Sequence, residues 1–212
     1  CLILEFPGFG VSDDFGGHPM VTAQRAVLPF LDALGVDRVH IVGNSMGGGV
    51  GITTAIKHPD RVGRLVTIGG IGTNIFSSGP SEGIRLLQAF TEDPTRSRLI
   101  DWLNSMVYDQ SLVTEQLIEE RWQLATGADT LASARRMYGR AAFAAMMAAM
   151  QAADAPLPWA LMHKVQAPTL LTWGRDDRVS PLDMALIPMR TIPNAELHVF
   201  PNPAPERDYL IQ

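Results

Sequence analysis

Ser45 stands in Gly43-Asn44-Ser45-Met46-Gly47, a G-x-S-x-G spacing set between the β-branched run Val39-His-Ile-Val42 and an apolar, Gly-containing segment. A serine can act as a nucleophile only if its hydroxyl is lifted clear of its surroundings. Glycines two residues away on either side permit a strand-to-helix turn sharp enough to do this. A helix opening at Met46 would aim its unpaired first-turn N–H groups, and the positive end of its dipole, at a developing oxyanion. The same glycines do not build a phosphate cradle. No Lys-Ser or Lys-Thr follows them, and Gly47-Gly48-Gly49 does not complete G-x-G-x-x-G. The bland alternative is an ordinary Gly-rich turn, and the strand before and helix after favour the nucleophile.

A serine hydroxyl is weakly nucleophilic at neutral pH, so it needs a histidine base, and that base needs a carboxylate to fix its tautomer. Asp177 is the candidate acid, in a turn three residues after Gly174 at the end of an apolar run. Asp176 and Asp183 compete with it, and a plain loop carboxylate paired with Arg175 or Arg178 is the alternative without chemistry. The base is harder to find. His40 lies in the strand before Ser45, His58 at the end of the helix after it, and His18 in an early loop. His163 closes a long helical stretch, and His198 lies within a strand.

The elements that must position these residues follow an αβ order. Cys1–Phe6 reads as a buried strand, 21–34 as a helix kinked at Pro29, 40–43 as a strand, the segment to Lys57 as a helix, and 64–68 as a strand. That order predicts an α/β fold with a mostly parallel sheet and helices on both faces. From 74 to 161 only helical segments are legible: 81–90, 95–106, 113–125 and 132–152. Met137, Met146, Met147 and Met150 fall at roughly helical spacing in the last, as a packed face would. A strand at 167–174, a helix at 182–190 and a strand at 195–200 resume the pattern. The expected division is core at 1–73, helical insertion at 74–161, core again at 162–200, and an irregular Pro-rich tail at 201–212. Because the first residues already read as a strand, the sequence is expected to open in mid-sheet, as a fragment.

Composition narrows the partners. The 212 residues are 46% hydrophobic and 18% charged, enough for one sizeable core. A net charge of −5 without any Lys/Arg block argues against a nucleic-acid or anionic-membrane surface. No run approaches about 18 apolar residues. The single cysteine, Cys1, cannot form an internal disulfide, which fits a cytoplasmic location.

Several stretches together carry a resemblance to a known family. They are Pro7-Gly8-Phe9-Gly10-x-Ser12-Asp13, Gly43-Asn44-Ser45-Met46-Gly47-Gly48, His58-Pro59-Asp60-Arg61, Val107-Tyr108-Asp109-Gln110-Ser111-Leu112, Glu120-Arg121-Trp122, Trp173-Gly174-Arg175-Asp176-Asp177-Arg178 and Leu197-His198-Val199-Phe200. The chain resembles the meta-cleavage product hydrolases, C–C bond hydrolases of the α/β-hydrolase fold that act in bacterial aromatic and steroid ring degradation. The resemblance implies Ser45 as nucleophile, the Met46 N–H as an oxyanion donor and Asp177 as triad acid. It implies Asn44 and Arg121 as holders of the substrate's dienoate carboxylate end, and makes the helical insertion a lid. A guanidinium can grip a carboxylate in a two-point fork, which suits Arg121 to that task. Two departures stand out: the family's Gly-rich segment carrying the second oxyanion donor does not occur in this sequence, and Pro205 stands where the family's catalytic His would be.

The implied reaction is serine-dependent hydrolysis of a 2-hydroxy-6-oxo-hexa-2,4-dienoate, a small-molecule substrate, with no metal or organic cofactor. A homo-oligomer is compatible with the resemblance. As it stands the chain is expected to be inactive in that reaction. A carboxylesterase of the same fold, and a non-catalytic fragment or scaffold, are the alternatives.

Overall fold

The computed structural model describes residues 1–72, 76, 79–152 and 158–201. The chain divides into two compact units, one made of Cys1–Phe30 with Glu82–Ala153, the other of Leu31–Ser81 with Asp154–Gln212. A first helix, α1 (Pro19–Ala33), runs through Pro29 without a break in its assignment.

The second unit holds a four-stranded sheet in the order β1 (Val39–Asn44), β2 (Val62–Ile68), β3 (Thr169–Gly174), β4 (Ala195–Phe200). Every neighbouring pair is parallel. Parallel neighbours need a crossover, and α2 (Met46–Lys57) supplies the first. Gly51 lets α2 approach the sheet, since a Cβ there would fall 2.9 Å from the Leu65 side chain and 3.1 Å from that of Ile41. Ile52, Ala55, Val62, Leu65, Val165, Leu171 and Trp173 form the buried centre of this unit. Emptying one such site, as in Leu171→Ala, costs about 2–5 kcal/mol. A short 3₁₀ turn (Leu182–Ala185) leading into α8 (Leu186–Thr191) connects β3 to β4.

The first unit is built of α3 (Glu82–Glu92), α4 (Arg96–Met106), α5 (Glu115–Ala125), α6 (Ala128–Tyr138) and α7 (Arg140–Ala152). Thr95 and Thr114 cap α4 and α5 by accepting from the amides of Arg98 and Leu117, which satisfies donors the helix itself cannot. Phe90, Leu99, Leu103 and Ile118 are buried together, with Trp102 and Trp122 packed on Phe90 at ring-centroid distances of 6.3 Å. The loop at 7–17 is pinned to α6: Arg136 donates to Asp14 Oδ2 (2.5 Å), to Gly17 O (3.0 Å) and to Ser133 Oγ (2.9 Å). That guanidinium, with the Gly16 amide, holds the Asp14 carboxyl below the usual carboxylate range.

Two sequence expectations change. Cys1–Phe6 forms no strand, and Ile3 is 88% exposed. An apolar run becomes a strand only where a neighbour takes up its backbone groups, and among the described residues none does. The helix expected over 132–152 is two helices, because Gly139 turns to extended backbone (ψ 146°) and its N–H closes α6 on Arg135 O. A side chain at 139 would lie 2.5 Å from that carbonyl. The expected tail, 202–212, lies outside the described residues.

Candidate active site

Register places the candidates. Asn44 pairs with Ile68, Ile68 with Thr172, and Gly174 with Phe200, so β1, β2 and β3 end at nearly one level. Ser45 follows the end of β1, and Asp177 follows the end of β3 by three residues. Both therefore stand beyond the carboxyl edge of the sheet, where open α/β sheets bind ligands.

Among the described residues Ser45 alone, apart from glycines, has positive φ (47°, with ψ −111°). Such a conformation costs an L-residue about 1–3 kcal/mol and persists only where surrounding structure enforces it. The enforcement is visible. The Ser45 N–H donates to Ile68 O (3.0 Å) and its carbonyl accepts from the Gly49 N–H (3.1 Å), so strand pairing holds one side and helix the other. Gly43 lets the two meet, since a Cβ there would lie 2.3 Å from Gly47 O. The reverse requirement at Gly47 is not found: a Cβ at 47 meets nothing within 4 Å among the described residues. The tight approach expected on both sides of the serine is thus one-sided, because the Gly43 Cα faces the helix backbone. Ser45 does not spend its hydroxyl on capping α2. The first-turn N–H groups from Met46 onward consequently have no side-chain cap from it.

Asp177 is held differently. Its Oδ1 accepts from the Val179 and Ser180 amides at 2.8 and 2.7 Å. Burial pushes its carboxyl above the ordinary carboxylate value, and those two amide bonds work against the rise. Arg175 pairs with Asp176 at 3.3 Å, both exposed, which removes Asp176 as a competitor for a sheltered site. Asp177 makes no ion pair among the described residues, and its Oδ2 accepts no hydrogen bond from them.

Between serine and acid runs Gly69-Gly70, both at positive φ (57° and 67°). A Cβ on Gly70 would lie 2.3 Å from Ser45 Cα and 2.7 Å from its Oγ, and one on Gly69 3.3 Å from Asp177 Oδ2. This bare backbone fits against both candidate groups at once. The pair lies just past the strand expected at 64–68, and its signal in the sequence is a Gly-Gly at the carboxyl end of a strand next to the one that carries the serine.

The family model described as "alpha/beta hydrolase fold" matches residues 1–205. The 2-hydroxy-6-oxo-6-phenylhexa-2,4-dienoate hydrolase of Burkholderia cepacia is 36% identical over 208 residues, covering 94% of this chain and 68% of that protein. A 2-hydroxy-6-oxononadienedioate/2-hydroxy-6-oxononatrienedioate hydrolase of Burkholderia vietnamiensis is 38% identical over 204 residues, covering 94% and 67%. The chain belongs to the meta-cleavage product hydrolases of the α/β-hydrolase fold. Among solved structures, the meta-cleavage product hydrolase of Pseudomonas fluorescens IP01 superposes with a TM-score of 0.77 at 27% identity, over 93% of this chain and 70% of that one. The 2-hydroxy-6-oxo-6-phenylhexa-2,4-dienoate hydrolase of Rhodococcus sp. strain RHA1 gives 0.76 at 26% identity, over 92% and 69%.

In this meta-cleavage product hydrolase Asn44 closes β1, one residue before the serine, and Arg121 lies exposed on α5 in the helical unit. The histidines of the sheet unit stand away from Ser45. His40 is near the amino end of β1, with its ring against Gly63, about 16 Å back along the strand. His58 caps the far end of α2, about 18 Å along the helix. His198 packs its ring on Phe200 in β4, three strand spacings or about 14 Å from β1. His163 is exposed, with Nδ1 2.7 Å from Ala160 O. Among the described residues no histidine hydrogen-bonds Ser45 or Asp177. Pro205, where the family's His was expected, lies outside them. No three His, Cys, Asp or Glu side chains cluster as metal ligands among the described residues, and none of their helices is long and apolar enough to cross a membrane.

Proposed function

We propose that the chain carries the nucleophile and acid of a serine hydrolase that cleaves a carbon–carbon bond of a 2-hydroxy-6-oxo-dienoate, with a small-molecule dienoate as its partner. The observation behind this reading is the enforced positive-φ Ser45 on the same sheet edge as the half-buried Asp177 carboxylate, which makes no ion pair among the described residues, in a chain whose relatives are named as dienoate hydrolases.

Protonating C5 of the dienol, as the 2-hydroxyl gives up its proton, forms the 2-oxo tautomer, in which a saturated C5 stands beside the ketone already present at C6. Ser45 Oγ, or water activated at the same place, adds to C6, and the Met46 N–H at the start of α2 stabilises the alkoxide. When the C5–C6 bond breaks, its electron pair passes into the conjugated 2-oxo system and leaves as 2-hydroxypenta-2,4-dienoate. Water then releases the acyl half as a carboxylic acid. Asp177 Oδ2 is the oxygen available to hold a base's imidazole in the required tautomer. Asn44 is assigned the carboxylate end of the substrate, and so is Arg121 on the sequence resemblance. The helical stretch 74–161 is assigned the lid. The free, exposed Cys1 fits a cytoplasmic setting.

The base is the open part of this reading, since Pro205 occupies the position of the family's His. Residues 1–212 are therefore expected to clear the dienoate absorbance barely above background. A variant carrying Ala204→Gly, Pro205→His and Glu206→Trp is expected to clear it faster. Equal clearance by the two chains would overturn the assignment of the base. Faster turnover of a simple ester than of the dienoate would replace C–C hydrolysis by esterase activity.

A further inference from the structure

The loop that presents Asp177 is fixed at two carbonyls by side chains distant in sequence. The Trp173 indole N–H, buried in β3, donates to Ser180 O at 2.6 Å. The Ser81 hydroxyl donates to Val179 O at 2.5 Å across 98 residues of sequence. The amides of these same two residues, Val179 and Ser180, are the donors to Asp177 Oδ1. The Val179 carbonyl and the Ser180 N–H belong to one peptide unit, so the Ser81 bond holds that N–H directly; the Ser180 carbonyl belongs to the next unit, whose nitrogen is that of Pro181, so the Trp173 bond anchors the backbone on the far side of Ser180. The Ser180 residue is thus held on both sides with its amide on one carboxylate oxygen, which the adjoining Val179 amide also reaches, and the other oxygen is left to face the Gly69-Gly70 backbone.

We propose that Trp173 and Ser81 are positioning residues for Asp177: they clamp the backbone on either side of Ser180 so that Oδ1 is saturated and Oδ2 alone is presented to the base. The inference rests on Asp177 being the triad acid. Trp173 is also a packing residue of the sheet core, so the clamp has to be separated from simple burial. Burial raises the Asp177 carboxyl, and the Val179 and Ser180 amides are what oppose that rise, so loosening them would cost the charged form its support.

The test is amide hydrogen exchange and ¹⁵N–¹H spectra of the chain, comparing wild type with Trp173→Phe, Ser81→Ala and Ser81→Thr. Phe keeps an aromatic ring but loses the N–H together with part of the indole's volume, whereas Ser81→Ala removes a hydroxyl alone and Thr keeps it. Trp173→Phe and Ser81→Ala are expected to speed exchange at Val179 and Ser180 roughly fivefold or more, the weight of one ordinary hydrogen bond. Leu171 and Leu65 should hold their rates in Ser81→Ala and gain less than the two loop amides in Trp173→Phe, and Ser81→Thr should keep wild-type rates. A rise shared equally by Leu171, Leu65 and the two loop amides would show a purely structural role and overturn the proposal, as would unchanged loop amides. If Asp177→Asn leaves dienoate turnover intact in the chain bearing Ala204→Gly, Pro205→His and Glu206→Trp, the reading of Asp177 as acid fails on its own, whatever the exchange rates show.

Discussion

The turn at Ser45 and the loop at Asp177 stand on one sheet edge, yet they are held by opposite means. At Ser45 the backbone itself is forced: φ is positive, and Gly43 gives up its side chain so that strand and helix can touch. At Asp177 φ is not positive, and the carboxylate is fixed by the amides of two residues whose carbonyls are tied by Ser81 and Trp173. Forcing the backbone suits a group that must project a hydroxyl into open space. Saturating one oxygen suits a charge that must stay ionised in a half-buried place.

The comparison can be broken most sharply at Gly43. Gly43→Ala drives a methyl into Gly47 O and is expected to cost about 3 kcal/mol, at the upper end for an overpacked site. Thermal unfolding would show this as a drop of roughly 6–12 °C for a chain of this size. An unchanged Tm would mean that the turn is not held by close approach. Gly47→Ala is the sharpening control. With open space at its Cβ and a helical position, it is expected to shift stability by no more than about 1 kcal/mol, and upward if helix propensity prevails.

On the acid side the expected effect is smaller and depends on pH. A carboxyl raised by burial binds its proton more tightly folded than unfolded, so stability falls as pH climbs from the unfolded value through the folded one. The penalty is fully present above the latter. Asp177→Asn removes it. The Tm of the variant relative to wild type should therefore be more favourable at pH 7 than at pH 4, and a difference of the reverse sign would mean that the loop amides outweigh burial.

The same contrast explains what could be read from the chain. The serine turn is local, five residues whose types state their geometry, and β1, α2, β2, β3 and β4 lie within a few residues of where period and turn residues put them. Asp177 was legible because a Gly followed by a charged cluster ends an apolar run. The parts that fix it were not, because Trp173 and Ser81 act through backbone carbonyls, and a Trp in a strand and a Ser before a helix announce no such bond. Cys1–Phe6 was misread for a related reason: strand propensity describes what a segment can pair with, not whether a neighbour is there. The break at Gly139 had a signal in its single glycine, outweighed by the Ala-rich runs on both sides.

The central claim is that Ser45 performs the chemistry on this edge. Its most direct test is dienoate clearance by the chain bearing Ala204→Gly, Pro205→His and Glu206→Trp, with and without Ser45→Ala. The alanine variant is expected to lose turnover by on the order of 10³-fold or more, down to the background of the buffer. Equal rates with serine and alanine at position 45 would contradict it.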